Sequence, residues 1–164
     1  MMRSTNSTVD SYCVREVVTV TRETPVLQCA QLMHDEHVGA VVIVDEVEGK
    51  RMPVGMLTDR DIAIEVVAFD VAARTITAGD LMTDGLAVVR LTDDLMAVLA
   101  IMREHGVRRL PVVGEDGSLE GIVTADNLCE VLAEAIDGLA RVIRSEHVRE
   151  RKTRAADSLQ RPPR

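Results

Sequence analysis

The 164-residue sequence predicts an α/β (α+β) fold: two pseudo-symmetric β-α-β-β-α units packed through their sheets, with a C-terminal helical extension. Three observations carry that prediction. The chain repeats itself, each repeat alternates β-branched stretches with helically spaced apolar residues, and one apolar run per repeat is unbroken, as in a strand covered on both faces.

Sliding the sequence along itself shows the repeat. An offset of 69 lays Val18-Thr19-Val20 over Ala87-Val88-Val89, Ala30 to Met33 over Leu99 to Met102, and Val41 to Val44 over Leu110 to Val113. Past the next turn the offset falls to 66, and Gly55-Met56-Leu57-Thr58 lies over Gly121-Ile122-Val123-Thr124. Similarity that survives a three-residue insertion reads as duplication. The bounds that follow are an N-terminal tail at 1–9, a first unit at 10–72, a second at 76–137 and a basic helix or tail at 138–164.

Each unit opens on a short strand, Val17 to Val20 or Leu86 to Val89. A helix start follows: Thr24-Pro25 as a cap with proline at the first helical position, and Thr92 with Asp93-Asp94 near the positive helix end. The first helices carry Val26, Ala30 and Met33, or Leu95, Val98, Leu99 and Met102, at helical spacing, and end near His37-Val38-Gly39 or His105-Gly106. A buried strand runs from Ala40 to Val44 or Leu110 to Val113, then a turn spans Asp45 to Pro53 or Gly114 to Gly117. The next strand, Val54 to Leu57 or Leu119 to Val123, breaks at a threonine into the last helix, Asp59 to Ala68 or Ala125 onward. The second of these keeps helical spacing through Leu128, Val131-Leu132, Ala135-Ile136, Leu139 and Val142-Ile143, with Gly138 as its weak point.

Composition narrows the function classes. The core must be aliphatic, because the chain holds one Tyr, one Phe and no Trp. That leaves no aromatic platform for stacking nucleic-acid bases. Residues 138–164 hold eight basic and three acidic residues, whereas residues 1–137 hold 11 basic and 24 acidic. An acidic body argues against a protein whose task is holding DNA. Cys13, Cys29 and Cys129 are an odd number without CxxC spacing, which fits a reducing, cytoplasmic setting and neither a disulfide framework nor a zinc knuckle. The polar N-terminus has no apolar core of a signal peptide, and the longest apolar run, Leu95 to Met102, is too short to span a bilayer. His34 and His37 sit at i, i+3 near a helix end, where they suit the negative dipole; a metal would need further ligands that the sequence does not place.

The chemical signal lies where a strand turns into a helix, at Thr58-Asp59-Arg60-Asp61 and Thr124-Ala125-Asp126-Asn127. Amides at a helix start suit a phosphate, a threonine there can cap or donate, and a carboxylate one turn on can accept from a ribose diol. The same residues also read as helix caps, with Asp61 completing a capping box. Arg108-Arg109, just before a buried strand, are either anion ligands or surface ion-pair partners.

The strings VGAVVIVDEVEGKRMPVGMLTDRDIAI and HGVRRLPVVGEDGSLEGIVTADNLCEVL, with Asp80-Leu81-Met82-Thr83 opening the second copy, resemble tandem cystathionine-β-synthase (CBS) domains, the pair called a Bateman module. The resemblance covers about residues 10–137. It implies a regulatory, non-catalytic protein that binds an adenosine-containing ligand (AMP, ADP, ATP, NAD or S-adenosylmethionine) between the copies, uses no catalytic cofactor or metal, forms a homodimer and signals to an effector protein. Carried over by position, one cleft would use Met56, Thr58 and Asp61, closed by Met82, Ala87, Val107 and Arg108, with Arg60 and Arg109 also on the phosphates. The other would use Ile122, Thr124 and Asn127, closed by Cys13, Val18, Val38 and Gly39. Asn127 stands where the family has an acid, so the cleft of Asp61 is expected to bind more tightly.

Overall fold

The computed structural model describes residues 8–82 and 85–159. Two compact units divide the chain after Ala125. The first holds two three-stranded sheets of identical pattern: β1 (Thr19–Val20), β2 (Ala40–Val47) and β3 (Lys50–Thr58) in one, β4 (Val89–Arg90), β5 (Arg109–Val113) and β6 (Leu119–Thr124) in the other. In each sheet the first pair is parallel and the second antiparallel. The parallel crossovers run through α1 (Val26–Asp35) and α4 (Leu95–His105), as a parallel pair requires. Three further α-helices lie among the described residues: α2 (Asp59–Asp61), α3 (Ala78–Leu81) and α5 (Ala125–Leu159).

β2 shows why its run is apolar throughout. Val41 and Ile43 face a cluster with Val26, Cys29 and Met33 of α1 and with Leu57 and Val66. The alternate residues, Val42 and Val44, pack with Leu119 of β6, flanked by Val17, Met56 and Ile122. Successive side chains of a strand point to opposite faces, so one face of β2 meets its helix and the other meets the second sheet. The two copies are thus joined through their sheets by aliphatic contact.

The duplication reaches into the irregularities. The ladder of β2 with β3 slips between Ile43 and Val44, leaving Val54 as the extra residue beside Pro53. The ladder of β5 with β6 slips between Val112 and Val113, leaving Glu120 as the extra one. Bulges at matching places agree with the duplication read from the sequence, and the first also accommodates a proline that cannot donate to the ladder.

Several elements differ from the sequence expectation. The strand β1 is confined to Thr19–Val20 and β4 to Val89–Arg90. The span 45–53 is not a loop: β2 and β3 run through it to pair Val47 with Lys50. Glu48 (φ 52°) and Gly49 (φ 75°) close the hairpin, and two positive φ values match the twist of the strands they join. Helix α1 begins at Val26 with Pro25 at the cap, and no side chain caps it. Its first amides are met by main-chain carbonyls instead, Val26 N donating to Ile76 O (3.0 Å) and Leu27 N to Ala73 O (3.0 Å). In the second copy the cap is Asp94, not Thr92, and it accepts from Ala97 N at 2.8 Å.

The expected α-helix over 59–68 is α-helical only to Asp61 and π-wound over Ile62–Val67, with Ala68 N donating to Ala63 O and Val71 N to Val66 O. The segment is rich in β-branched residues, which lose freedom in an α-helix, and the wider winding places Ile62 and Val66 together on the core. The N-terminal tail is not wholly tail: Val9 is fully buried in a short 3₁₀ turn, Val9–Ser11, and donates to Asp93 O at 2.9 Å. Among the described residues no helix is long and apolar enough to cross a membrane. The second unit is α5, which runs unbroken through Gly138.

Candidate functional site

A cavity of about 520 Å³ opens in the first unit at the end of β3. That volume lies in the range of small-molecule sites. Four segments build it: Met56 and Thr58 at the end of β3, Asp59 to Asp61 in α2, Gly85 to Ala87 before β4, and the run from His105 to Leu110. The last run is contiguous because α4 ends at Gly106 in a left-handed conformation (φ 65°), where Val107 N donates back to Met102 O and the chain doubles into β5.

The threonine and aspartate form the capping box that the spacing allowed. Asp61 Oδ2 accepts from Thr58 N (2.9 Å) and Thr58 Oγ1 (2.7 Å), and Asp61 N donates to Thr58 Oγ1 (3.2 Å). Both bonds to the carboxylate fall on Oδ2, so Oδ1 takes no hydrogen bond among the described residues. The cap therefore fixes the carboxylate and leaves one of its oxygens unengaged on a residue that lines the cavity; the two readings of these residues are compatible. The amides at this corner are a different matter. Asp59 N donates to Gly39 O (3.2 Å) and Arg60 N to Asp59 Oδ1 (2.8 Å), and with Asp61 N on Thr58 all three are engaged within the chain. An anion here would rest on side chains, not on a helix terminus.

Those side chains are present. Arg60, Arg108 and Arg109 line the cavity, and among the described residues their guanidinium groups form neither an ion pair nor a side-chain hydrogen bond. This separates them from the surface ion-pair partners that Arg108-Arg109 could have been. Met56, Leu86, Ala87 and Val107 give the cavity its apolar walls. Of the residues expected in this cleft, Met56, Thr58, Arg60, Asp61, Ala87, Val107, Arg108 and Arg109 all line it. Met82 does not: it lies on Gly55, whose missing side chain leaves space that a Cβ would fill to within 3.1 Å of Met82 Cβ, and its sulfur accepts from Arg22 Nη1 (3.4 Å).

Asp59, Leu86 and His105 line the cavity although the sequence reading assigns none of them to a cleft. His105 reads there as a helix terminator, and the signal that could have found it is its place three residues before the arginine pair.

The residues expected around the other cleft are placed as follows. Val14 bridges to Ile122 through a pair of 2.9 Å main-chain bonds. Cys13, beside it, lies against Gly121, with its Sγ 3.3 Å from where a Cβ would stand. Burial pushes the Cys13 thiol up, against the lowering influence of Arg15. Val18 O accepts from Val42 N (3.0 Å), Val38 is exposed after α1, and Thr124 ends β6. Gly39 borders the first cavity's own groups: a Cβ there would stand 3.0 Å from Arg109 Nη2 and 3.1 Å from Asp59 Oδ2. Asn127 belongs to the second unit, as the third residue of α5.

Comparison with known proteins converges on one family. The CBS domain profile matches residues 9–68 and 78–134. Hypoxic response protein 1 of Mycobacterium tuberculosis is 37% identical over 122 residues, 74% of this chain and 78% of that protein. An uncharacterized protein of Methanopyrus kandleri is 32% identical over 117 residues, 71% of this chain but 58% of that protein's length. The crystal structure of CBSX2 in complex with AMP superposes with a TM-score of 0.64 at 26% identity, covering 78% of this chain and 97% of that one.

Proposed function

The chain belongs to the CBS-domain family, with two CBS domains, and from that premise we propose that it is a regulatory module that binds an adenosine-containing ligand in the cavity at Thr58 and Asp61. It performs no catalysis in this reading; ligand state is passed to an effector protein, in a cytoplasmic setting. The observation that carries the reading is the convergence on one cavity of a capped carboxylate with a spare oxygen, three guanidinium groups without partners among the described residues, and aliphatic walls. Each group has a task. Met56, Ala87 and Val107 sandwich an adenine without aromatic stacking, Asp61 Oδ1 accepts from the ribose diol, and Arg60, Arg108 and Arg109 neutralise phosphate. A solved relative, CBSX2, holds AMP.

Thermal unfolding with AMP, ADP, ATP, NAD and S-adenosylmethionine tests this, because a ligand of the native state raises the melting temperature. At least one is expected to do so, and Asp61→Ala should reduce the shift more than Asn127→Ala. No shift with any of the five refutes the reading. A second reading has its own observation, the exposed apolar residues of α5. In it the chain is a homodimeric scaffold that binds no ligand and acts through its C-terminal helix.

A further inference from the structure

Helix α5 leaves Leu132, Ile136, Leu139 and Ile143 exposed, Ile136 at 69% and Leu139 at 62%. Scattered apolar residues on a surface mean little, but these are ordered. Their spacings are four, three and four, the alternation of a heptad seam, with isoleucine at both a positions and leucine at both d positions. Ala133 and Ala140 flank the seam at e and Ala135 at g, small enough for a second helix to approach closely. Gly138 falls at c, off the seam.

Charge says which helix fits and in which direction. Residues 126–137 carry four acids (Asp126, Glu130, Glu134, Asp137) and no base. Residues 138–149 carry Arg141, Arg144 and Arg149 against Glu146 alone. Asp137 is already held by Arg141 (2.6 Å) and Arg144 (3.5 Å) of its own helix; among the described residues the other three acids form no ion pair. In this heptad Glu130, Asp137 and Arg144 fall at b and Glu134 and Arg141 at f, away from the seam, so direction rests on the charges within it and beside it: at d, Glu146 of a second α5 laid parallel would meet Glu146. Laid antiparallel, Glu146 meets the partner's Cys129 instead and acidic Asp126 at e comes beside the partner's His147, and the two-fold closes on itself.

We infer that α5 is a self-association surface on which two copies of this chain pair as an antiparallel two-helix seam. In the register that pairs a with d, Leu132 meets the partner's Ile143 and Ile136 meets the partner's Leu139, and the two-fold repeats both layers. Ala133 then faces the partner's Ala140, and Asp126 lies beside the partner's His147. The inference rests on the homodimer reading given above and gives it a surface and a direction; it is independent of ligand binding.

The test uses the full chain. Sedimentation equilibrium at about 50 µM is expected to return the mass of two copies. Ile136→Asp, which places a charge in two layers of the seam, should raise the dissociation constant at least about a hundredfold. Circular dichroism keeps this readable: the variant should retain its helical signal and unfold cooperatively. Leu139→Ala, which introduces no charge, should weaken pairing in the same direction by a smaller factor. Raising salt from about 0.05 to 0.5 M should weaken an antiparallel pair and strengthen a parallel one.

Direction has a covalent readout, because exposed Cys129 opposes position 146 of the partner in this register. Seventeen residues of helix separate the two positions in one chain, about 25 Å. After mild oxidation of Glu146→Cys, a disulfide between 129 and 146 must therefore join two chains. A single-copy mass overturns the homodimer reading and this one with it. A two-copy mass that neither Ile136→Asp nor Leu139→Ala weakens overturns the surface and leaves the homodimer standing. A 129–129 disulfide in the unaltered chain overturns the direction.

Discussion

Replacing Asp61 by alanine tests two roles that fall on different oxygens, the capping bonds on Oδ2 and the proposed diol contact on Oδ1. Oδ2 accepts from Thr58 N at 2.9 Å and Thr58 Oγ1 at 2.7 Å, so its loss removes the reciprocal half of the capping box, worth about 1 kcal/mol, while Thr58 stays the N-cap. Spread over a unit of this size, that lowers the ligand-free melting temperature by about 3–5 °C. Oδ1 is the ribose acceptor of the proposed site, and two charge-assisted bonds at about 1.5 kcal/mol each, the low end for a site open to water, come to about 3 kcal/mol. The dissociation constant for AMP should then rise by about a hundredfold, at 1.4 kcal/mol per factor of ten. Calorimetric titration measures that figure apart from the change in stability. A cycle with 2′,3′-dideoxyadenosine monophosphate isolates the diol: the unaltered protein should discriminate strongly against it, and Asp61→Ala should not. Binding of AMP within threefold of the unaltered protein, or equal discrimination by both, would refute the assignment of the diol to Asp61.

Other perturbations follow from the packing. Gly121→Ala would place a Cβ 2.8 Å from Val14 O, a main-chain atom that donates no room, so it should cost about 1–3 kcal/mol in urea unfolding and loosen the segment before β1. His37 holds φ 54° where the repeat has Gly106 at φ 65°. His37→Gly is therefore expected to be neutral or stabilising by up to about 1 kcal/mol, and Gly106→Ala to cost about 1 kcal/mol, both by chemical denaturation. Lys50 and Ser118 hold the Asp116 carboxyl well below the usual carboxylate range, and Arg22 lowers that of Asp45. A depressed folded pKa gives stability that is present above the unfolded value, about 3.9, and is lost as pH falls through the folded one. The stability gap between the unaltered protein and Asp116→Asn should hold from about pH 7 to 5 and narrow below about pH 4; because the pair is exposed, the gap itself is small.

How much of this was legible in the sequence depended on whether side chains or the backbone carried the message. The buried strands, the two crossover helices and the long α5 were readable because each declares itself by apolar spacing. The hairpin arm at Asp45 to Pro53 was not. Its residues are mostly charged and mostly exposed, and the cross-strand ladder that orders them uses main-chain groups that leave no trace in side-chain pattern. The π-winding after Asp61 was hidden for the same reason. The cavity was legible as far as the repeat and its strand-to-helix corner could show it: Thr58, Asp61 and the arginine pair. His105 and Leu86 come to it only through the doubling of the chain at Gly106 and the return before β4.

Met82 marks the boundary of what the repeat can say. The offset of 69 equates it with Cys13, and the structure makes the two equivalent, for each lies over the strand glycine of the other copy, Met82 on Gly55 and Cys13 on Gly121. The shared task visible in both places is to cover a glycine where a side chain would not fit. A repeat preserves such packing because both copies need the same sheet closed. It has no equal reason to preserve cavity chemistry, and here it has not: Arg108, which lines the cavity, corresponds to Gly39, and Asp61 corresponds to Asn127. Duplication supplied two copies of one scaffold, and the substitutions between them gathered the carboxylate and the arginine pair at the corner of β3.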